Sequence, residues 1–209
     1  MNVYLIRHGE SLGNQTGKIQ GRMDFPLSTF GELQARQLGE YLKELPLDYL
    51  YSSDLCRAFK TAQIVGKFQK LPVQRWDKIS EVDLGPLQGL SRSEIYAAYP
   101  EAKSQSILTS GIAGTETTEA LTKRCQTVVE QIKQHRHRSV ALVTHGGFMS
   151  ILLMYLIAGR HWVHCQRIFR IDNASITKVE WSEEEKPVIH YINQTIHLLN
   201  NKASGEHAG

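Results

Sequence analysis

The chain is poor in the residues that would staple it, metallate it or anchor it. Its 209 residues hold three cysteines, Cys56, Cys125 and Cys165, far apart and with no CxxC pair. That predicts neither a disulfide framework nor a cysteine zinc site, and fits the reduced thiols of a cytoplasmic protein. The longest apolar run, 148–158, falls well short of the about 20 residues that span a bilayer, so it predicts a buried helix and no membrane partner. A short apolar start meets Arg7 and His8 at once, which is not a secretory leader. Charge of one sign is scarce too. The 24 Lys and Arg exceed the 21 Asp and Glu by only +3, and no run concentrates cations as a nucleic-acid partner requires. His135-Arg136-His137-Arg138 reads as the solvated end of a helix. GxGxxG and GxxxxGKS/T are both missing, which removes dinucleotide and P-loop chemistry. His135-x-His137 and His161-x-x-His164 have ligand-like spacing but no companion Cys or carboxylate set, so no metal and no cofactor is expected.

What is present is an ordinary globular balance, 41% hydrophobic and 22% charged. At roughly 150 residues per domain it predicts one domain, 1–209, with a sizeable core. Residues 2–6 (NVYLI) and 139–144 (SVALVT) are continuous apolar runs of strand formers, as in buried parallel strands. Leu38, Tyr41, Leu42 and Leu45 between Ser28 and Pro46 predict a helix over 29–44, followed by a strand at 48–51. Asp54 is placed as the cap of a next helix, whose first turn holds Arg57 and whose Arg57 and Thr61 share a face. A short strand is expected at Val73–Arg75. Leu121, Cys125, Val128, Val129 and Ile132 predict an amphipathic helix over 116–134. ITKVEW (176–181) and VIHYIN (188–193) read as an edge hairpin, and 201–209 as a frayed tail. Strands alternating with such helices predict an α/β fold with a mostly parallel sheet. Segment 91–115 has a weak helical pattern and is a candidate lid.

In open α/β sheets ligands bind beyond the carboxyl ends of the strands. The residues there are polar: Arg7 and His8 after the first strand, Arg57 at a helix start, Glu81 after the Val73–Arg75 strand, His145 after the 139–144 strand. Each alone has a bland structural explanation. Together they do not, because cations near helix N-termini oppose the helix dipole unless something anionic occupies the site. A tetrahedral phosphate suits bidentate arginines and the backbone N–H groups of His145-Gly146-Gly147.

LIRHGES (5–11), QGRMDFPLS (20–28), YSSDLCRAFKTA (51–62), SEVDLGPLQGLS (80–91), LVTHGG (142–147) and NASIT (173–177) resemble, in order and over nearly the whole chain, the blocks of the histidine phosphatase (phosphoglycerate mutase-like) superfamily. The resemblance implies a three-layer α/β/α fold. It implies that His8 attacks phosphorus and carries the phosphoryl group, that Arg7, Arg57 and His145 bind phosphoryl oxygens, and that Asn14, Gln20 and the Gly146 N–H line the pocket. Glu81 is implied as proton donor, with a pKa that an apolar wall can raise; Glu10 beside the triplet is its rival. The activity implied is that of a metal-independent phosphomonoesterase acting on a small phosphorylated substrate. The alternatives are a phosphoglycerate mutase and a non-catalytic phospho-ligand binding protein. Hydrolysis is preferred because Val82 and Asp83 follow Glu81, where Asp83 would repel a substrate carboxylate, and because Lys103 is the only cation in 99–116. His197 either reaches the pocket mouth or serves as packing. The oligomeric state, homodimer included, stays open.

Overall fold

The runs NVYLI and SVALVT do become neighbouring strands. In the computed structural model, which describes residues 1–104, 106–165, 169–181 and 186–201, β1 (Asn2–Arg7) lies parallel to β4 (Ser139–Thr144) with Asn2 opposite Ser139 and Arg7 opposite Thr144. One six-stranded sheet results, in the order β3-β2-β4-β1-β5-β6. β2 (Tyr49–Ser52) and β3 (Val73–Arg75) extend it in parallel; β5 (Ile176–Trp181) and β6 (Pro187–Gln194) close the other side as the expected antiparallel edge hairpin. The spacer of that hairpin, 182–185, and the tail from 202 lie outside the described residues.

Strand periodicity sorts the core into two layers. Val3, Leu5, Val140 and Leu142 face α5 (Thr118–Lys133) and α6 (Gly146–Ala158), while Tyr4, Ile6, Ala141 and Val143 face α2 (Thr29–Leu42) and α3 (Cys56–Gln69). Both faces are therefore apolar, which is why these strands read as continuous rather than alternating runs. The short helices α1 (Leu12–Gln15) and α4 (Arg92–Ala98) sit in connections. Ser28 caps α2 as expected, its side chain accepting from the Gly31 N–H. Asp54 does not cap α3. Ser53 Oγ accepts the Leu55 N–H at 3.2 Å and Asp24 Oδ1 accepts the Cys56 N–H at 2.7 Å, while Asp54 accepts from the Ser80 hydroxyl instead. A capping residue from a distant loop is invisible to local sequence. All three cysteines are free thiols, and no described helix is long and apolar enough to cross a membrane.

Candidate active site

The β1–β4 register decides where the imidazoles go. With Arg7 level with Thr144, the next residue of each strand is a histidine, and the His8 and His145 rings lie 5.0 Å apart beyond the carboxyl ends. His8 Nδ1 is 2.6 Å from the Gly9 carbonyl oxygen. A carbonyl only accepts, so Nδ1 carries the proton and the Nε2 lone pair points the other way. Nε2 accepts a bond from Arg57 Nε at 3.3 Å. Burial, then the Arg57 and Arg7 charges, hold the His8 pKa well below its ordinary 6.5, so the ring is neutral at neutral pH.

Arg57 lies in the first turn of α3, where the dipole disfavours a cation. It is 1% exposed, and its guanidinium is fixed by bonds to the Met23 and Gly21 carbonyls, both 2.8 Å. One turn on, Thr61 donates to the Arg57 carbonyl and accepts the Gly9 N–H, tying α3 to the loop that carries His8. Arg7 donates to the Ile171 carbonyl at 2.6 Å.

Glu81 stands at the N-terminus of α6. Its Oε1 accepts the Phe148 N–H at 2.8 Å and the Val82 N–H at 3.0 Å, and its Oε2 accepts the Gly147 N–H at 3.1 Å. The carboxyl thus takes up donors that the helix itself leaves orphaned. This corrects the expectation of free amides at 145–147: the Gly147 amide belongs to Glu81. A Cβ at Gly147 would come 2.6 Å from Glu81 Oε1, so this position needs glycine for the carboxyl to approach.

Arg7, His8, Arg57, Glu81, Asn14, Gln20 and Gly146 all line one cavity of about 190 Å³, with Ile19, Leu84, Ile107, Leu108 and Ile171 as its apolar walls. His145 is not on its surface. It is fully buried behind His8, with Nε2 2.8 Å from Ser53 Oγ and Nδ1 without a partner among the described residues. Asn14 Oδ1 accepts from the Ser11 N–H, the Ser11 hydroxyl and Asn173 Nδ2, so its Nδ2 is the end left for other partners. Gln20 Oε1 is 2.7 Å from Ser11 Oγ.

Several expectations change. Glu10 turns toward α2, accepting from Ser28 Oγ at 2.7 Å, and leaves Glu81 as the carboxyl at the cavity. His197 is the packing residue, buried 2.9 Å from the Ala174 carbonyl and against the Tyr41 ring. Asp83 does not line the cavity: its carboxylate turns back on its own loop and accepts the Gly85 N–H, while its backbone N–H and carbonyl are bonded to Glu116. Lys103 is not at the cavity either. The cations there besides Arg7 and Arg57 are Lys18, paired with Glu94 at 3.0 Å, and Arg92, which donates to the Tyr96 hydroxyl. Segment 91–115 does supply Arg92, Ile107 and Leu108 to the wall. Sequence reasoning missed Lys18, Arg92, Ser53 and Asn173; only the shared face of Arg57 and Thr61 hinted at the second row of contacts. Among the described residues no three His, Cys, Asp or Glu side chains are grouped as metal ligands.

A cavity at the carboxyl edge of a mostly parallel sheet, walled by three arginines, a lysine, a neutral imidazole and a carboxyl, defines an enzyme that handles phosphoryl groups. The chain belongs to the histidine phosphatase superfamily (branch 1), whose family model matches residues 3–195, and the enzyme class it shares with its relatives is phosphatase. It is 32% identical over 190 residues to the uncharacterized phosphatase PhoE of Bacillus subtilis, covering 90% of this chain and 93% of that one. It is 34% identical over 203 residues to phosphoglycerate mutase-like protein 4 of Arabidopsis thaliana, covering 94% and 86%. Its structure is similar to that of a phosphoserine phosphatase from Entamoeba histolytica in complex with 3-phosphoglyceric acid, with a TM-score of 0.78, 26% identity, and 95% and 99% of the two chains covered.

Proposed function

We propose that the protein is a metal-independent phosphomonoesterase that hydrolyses a small phosphorylated metabolite through a phosphohistidine. The observation that carries this reading is the neutral His8 ring, with its Nε2 lone pair beside Arg57 in the cavity that Arg7 and Glu81 also line. In the first step His8 Nε2 forms a bond to phosphorus as the ester P–O bond breaks, and Glu81 gives its proton to the departing oxygen. In the second, water attacks the phosphohistidine, the N–P bond breaks, and Glu81 takes the water's proton. Arg7 and Arg57 carry the positive charge that offsets the phosphoryl oxygens, a task for which arginine is suited. His145, buried behind His8 with Nε2 2.8 Å from Ser53 Oγ, backs the nucleophile's ring.

Hydrolysis is favoured because the cavity opens to solvent and because Lys18 is already paired. Asp83 no longer supports this preference, since it lies outside the cavity. Isomerisation of a phosphoglycerate is the second reading, favoured by the presence of Arg92 and Lys18 at the wall. Incubation with 3-phosphoglycerate and a trace of 2,3-bisphosphoglycerate separates the two. Inorganic phosphate should appear faster than 2-phosphoglycerate, in EDTA as without it; the reverse order would make the protein a mutase. Loss of turnover in EDTA, restored by one divalent metal, would end the metal-independent mechanism.

A further inference from the structure

Arg124, on α5, is buried and lines no part of the cavity, yet it touches what lies on either side of Glu81. Its Nη1 donates to the Ser80 carbonyl at 2.6 Å, one residue before Glu81. Its guanidinium stacks 4.3 Å from the centroid of the Phe148 ring, and the Phe148 N–H is the one that donates to Glu81 Oε1. Its Nη2 donates to Glu116 Oε2 at 2.8 Å, in an ion pair whose two side chains are only 6% and 11% exposed. Glu116 in turn grips the chain just beyond the acid: its Oε2 accepts the Asp83 N–H at 3.1 Å and its own N–H donates to the Asp83 carbonyl at 2.8 Å. Segment 80–83 is therefore held at both ends by one buried pair.

A buried ion pair is weak evidence for stability, because desolvating two charges offsets much of their attraction. What this pair does supply is direction. A planar guanidinium with fixed forks sets the Ser80 carbonyl, the Glu116 carboxylate and the Phe148 ring relative to one another, and all three bear on where the Glu81 carboxyl lies. We propose that Arg124 and Glu116 are positioning residues that hold the Glu81 carboxyl in register with the departing oxygen. This rests on the reading of Glu81 as proton donor.

The test compares kcat/KM on a simple alkyl phosphate and on p-nitrophenyl phosphate for Arg124→Met, Glu81→Gln and the double variant. A departing p-nitrophenolate needs little protonation, so damage to the acid shows on the alkyl ester alone. Arg124→Met should lose about 10- to 100-fold on the alkyl phosphate, as expected for a displaced acid, and under about threefold on the aryl one. Added to Glu81→Gln it should cost less than about twofold more on either, because the two act through one group. Arg124→Lys, which keeps the charge but not the fork, should fall between. If Arg124→Met does not fold, Glu116→Gln carries the same comparison. Equal losses on both esters, or losses that multiply in the double variant, would reduce Arg124 to a structural residue and overturn the proposal. If Glu81→Gln itself loses equally on both, the acid reading falls and the proposal with it, an outcome distinct from failure of Arg124→Met alone.

Discussion

Two buried imidazoles make this site sensitive to acid. Burial, with Arg57 as the next cause for each, holds the pKa of both His8 and His145 well below 6.5, whereas in the unfolded chain both titrate near that value. Below pH 6.5 the unfolded chain takes up protons that the folded one refuses, so stability falls as pH drops from 6.5 toward the lowered values and is unaffected above. Each histidine contributes a slope of up to about 1.4 kcal/mol per pH unit in that window. The thermal midpoint should therefore fall between pH 6.5 and 5, and less steeply for His145→Asn; the same slope in the variant would show that His145 is not held neutral. At this scale the sequence was informative where a residue's place follows from a strand end. Arg7, His8 and His145 are such cases. It was silent or misleading where a side chain's partner comes from far along the chain, as for Asn173 on Asn14, or where a loop side chain folds back on its own backbone, as for Asp83 on the Gly85 N–H.

Among the elements, the periodic ones matched expectation closely: α5 over Thr118–Lys133 against 116–134, β4 over 139–144, α2 behind its Ser28 cap. Their apolar stripes and strand formers act locally, so local reading suffices. The start of α3 did not follow, since beside Ser53 its Cys56 N–H is served by Asp24, 32 residues earlier in the chain. This contact also shapes the site, because the same turn carries Arg57. Asp24→Ala should lower stability by about 1 kcal/mol, the usual worth of a cap, and raise KM through a looser Arg57. Chemical denaturation together with steady-state kinetics checks both, and an unchanged free energy of unfolding would show that the Cys56 N–H is served equally well by water. A second long-range constraint is the packing of α2 on the loop after His8. A Cβ at Gly31 would sit 1.9 Å from the Glu10 carbonyl oxygen, a closeness that only glycine allows.

At the scale of the whole molecule, the cavity draws on five connections that meet because the strand order brings β1 and β4 to the middle of the sheet. The α/β class was legible, since its strands are doubly covered and read as apolar runs. The wall was legible only in part, because Lys18 and Arg92 reach it through loops whose course no periodicity encodes. The proposed reaction turns on one atom, His8 Nε2. Rapid acid-free quench of the enzyme mixed with a ³²P-labelled substrate tests this directly, with His8→Ala alongside. The label should appear on the protein within a single turnover, survive base, be lost in acid, and be missing from the variant, which should not turn over. Full turnover by His8→Ala, with no acid-labile label on the parent protein, would mean that water attacks phosphorus directly and would contradict the account.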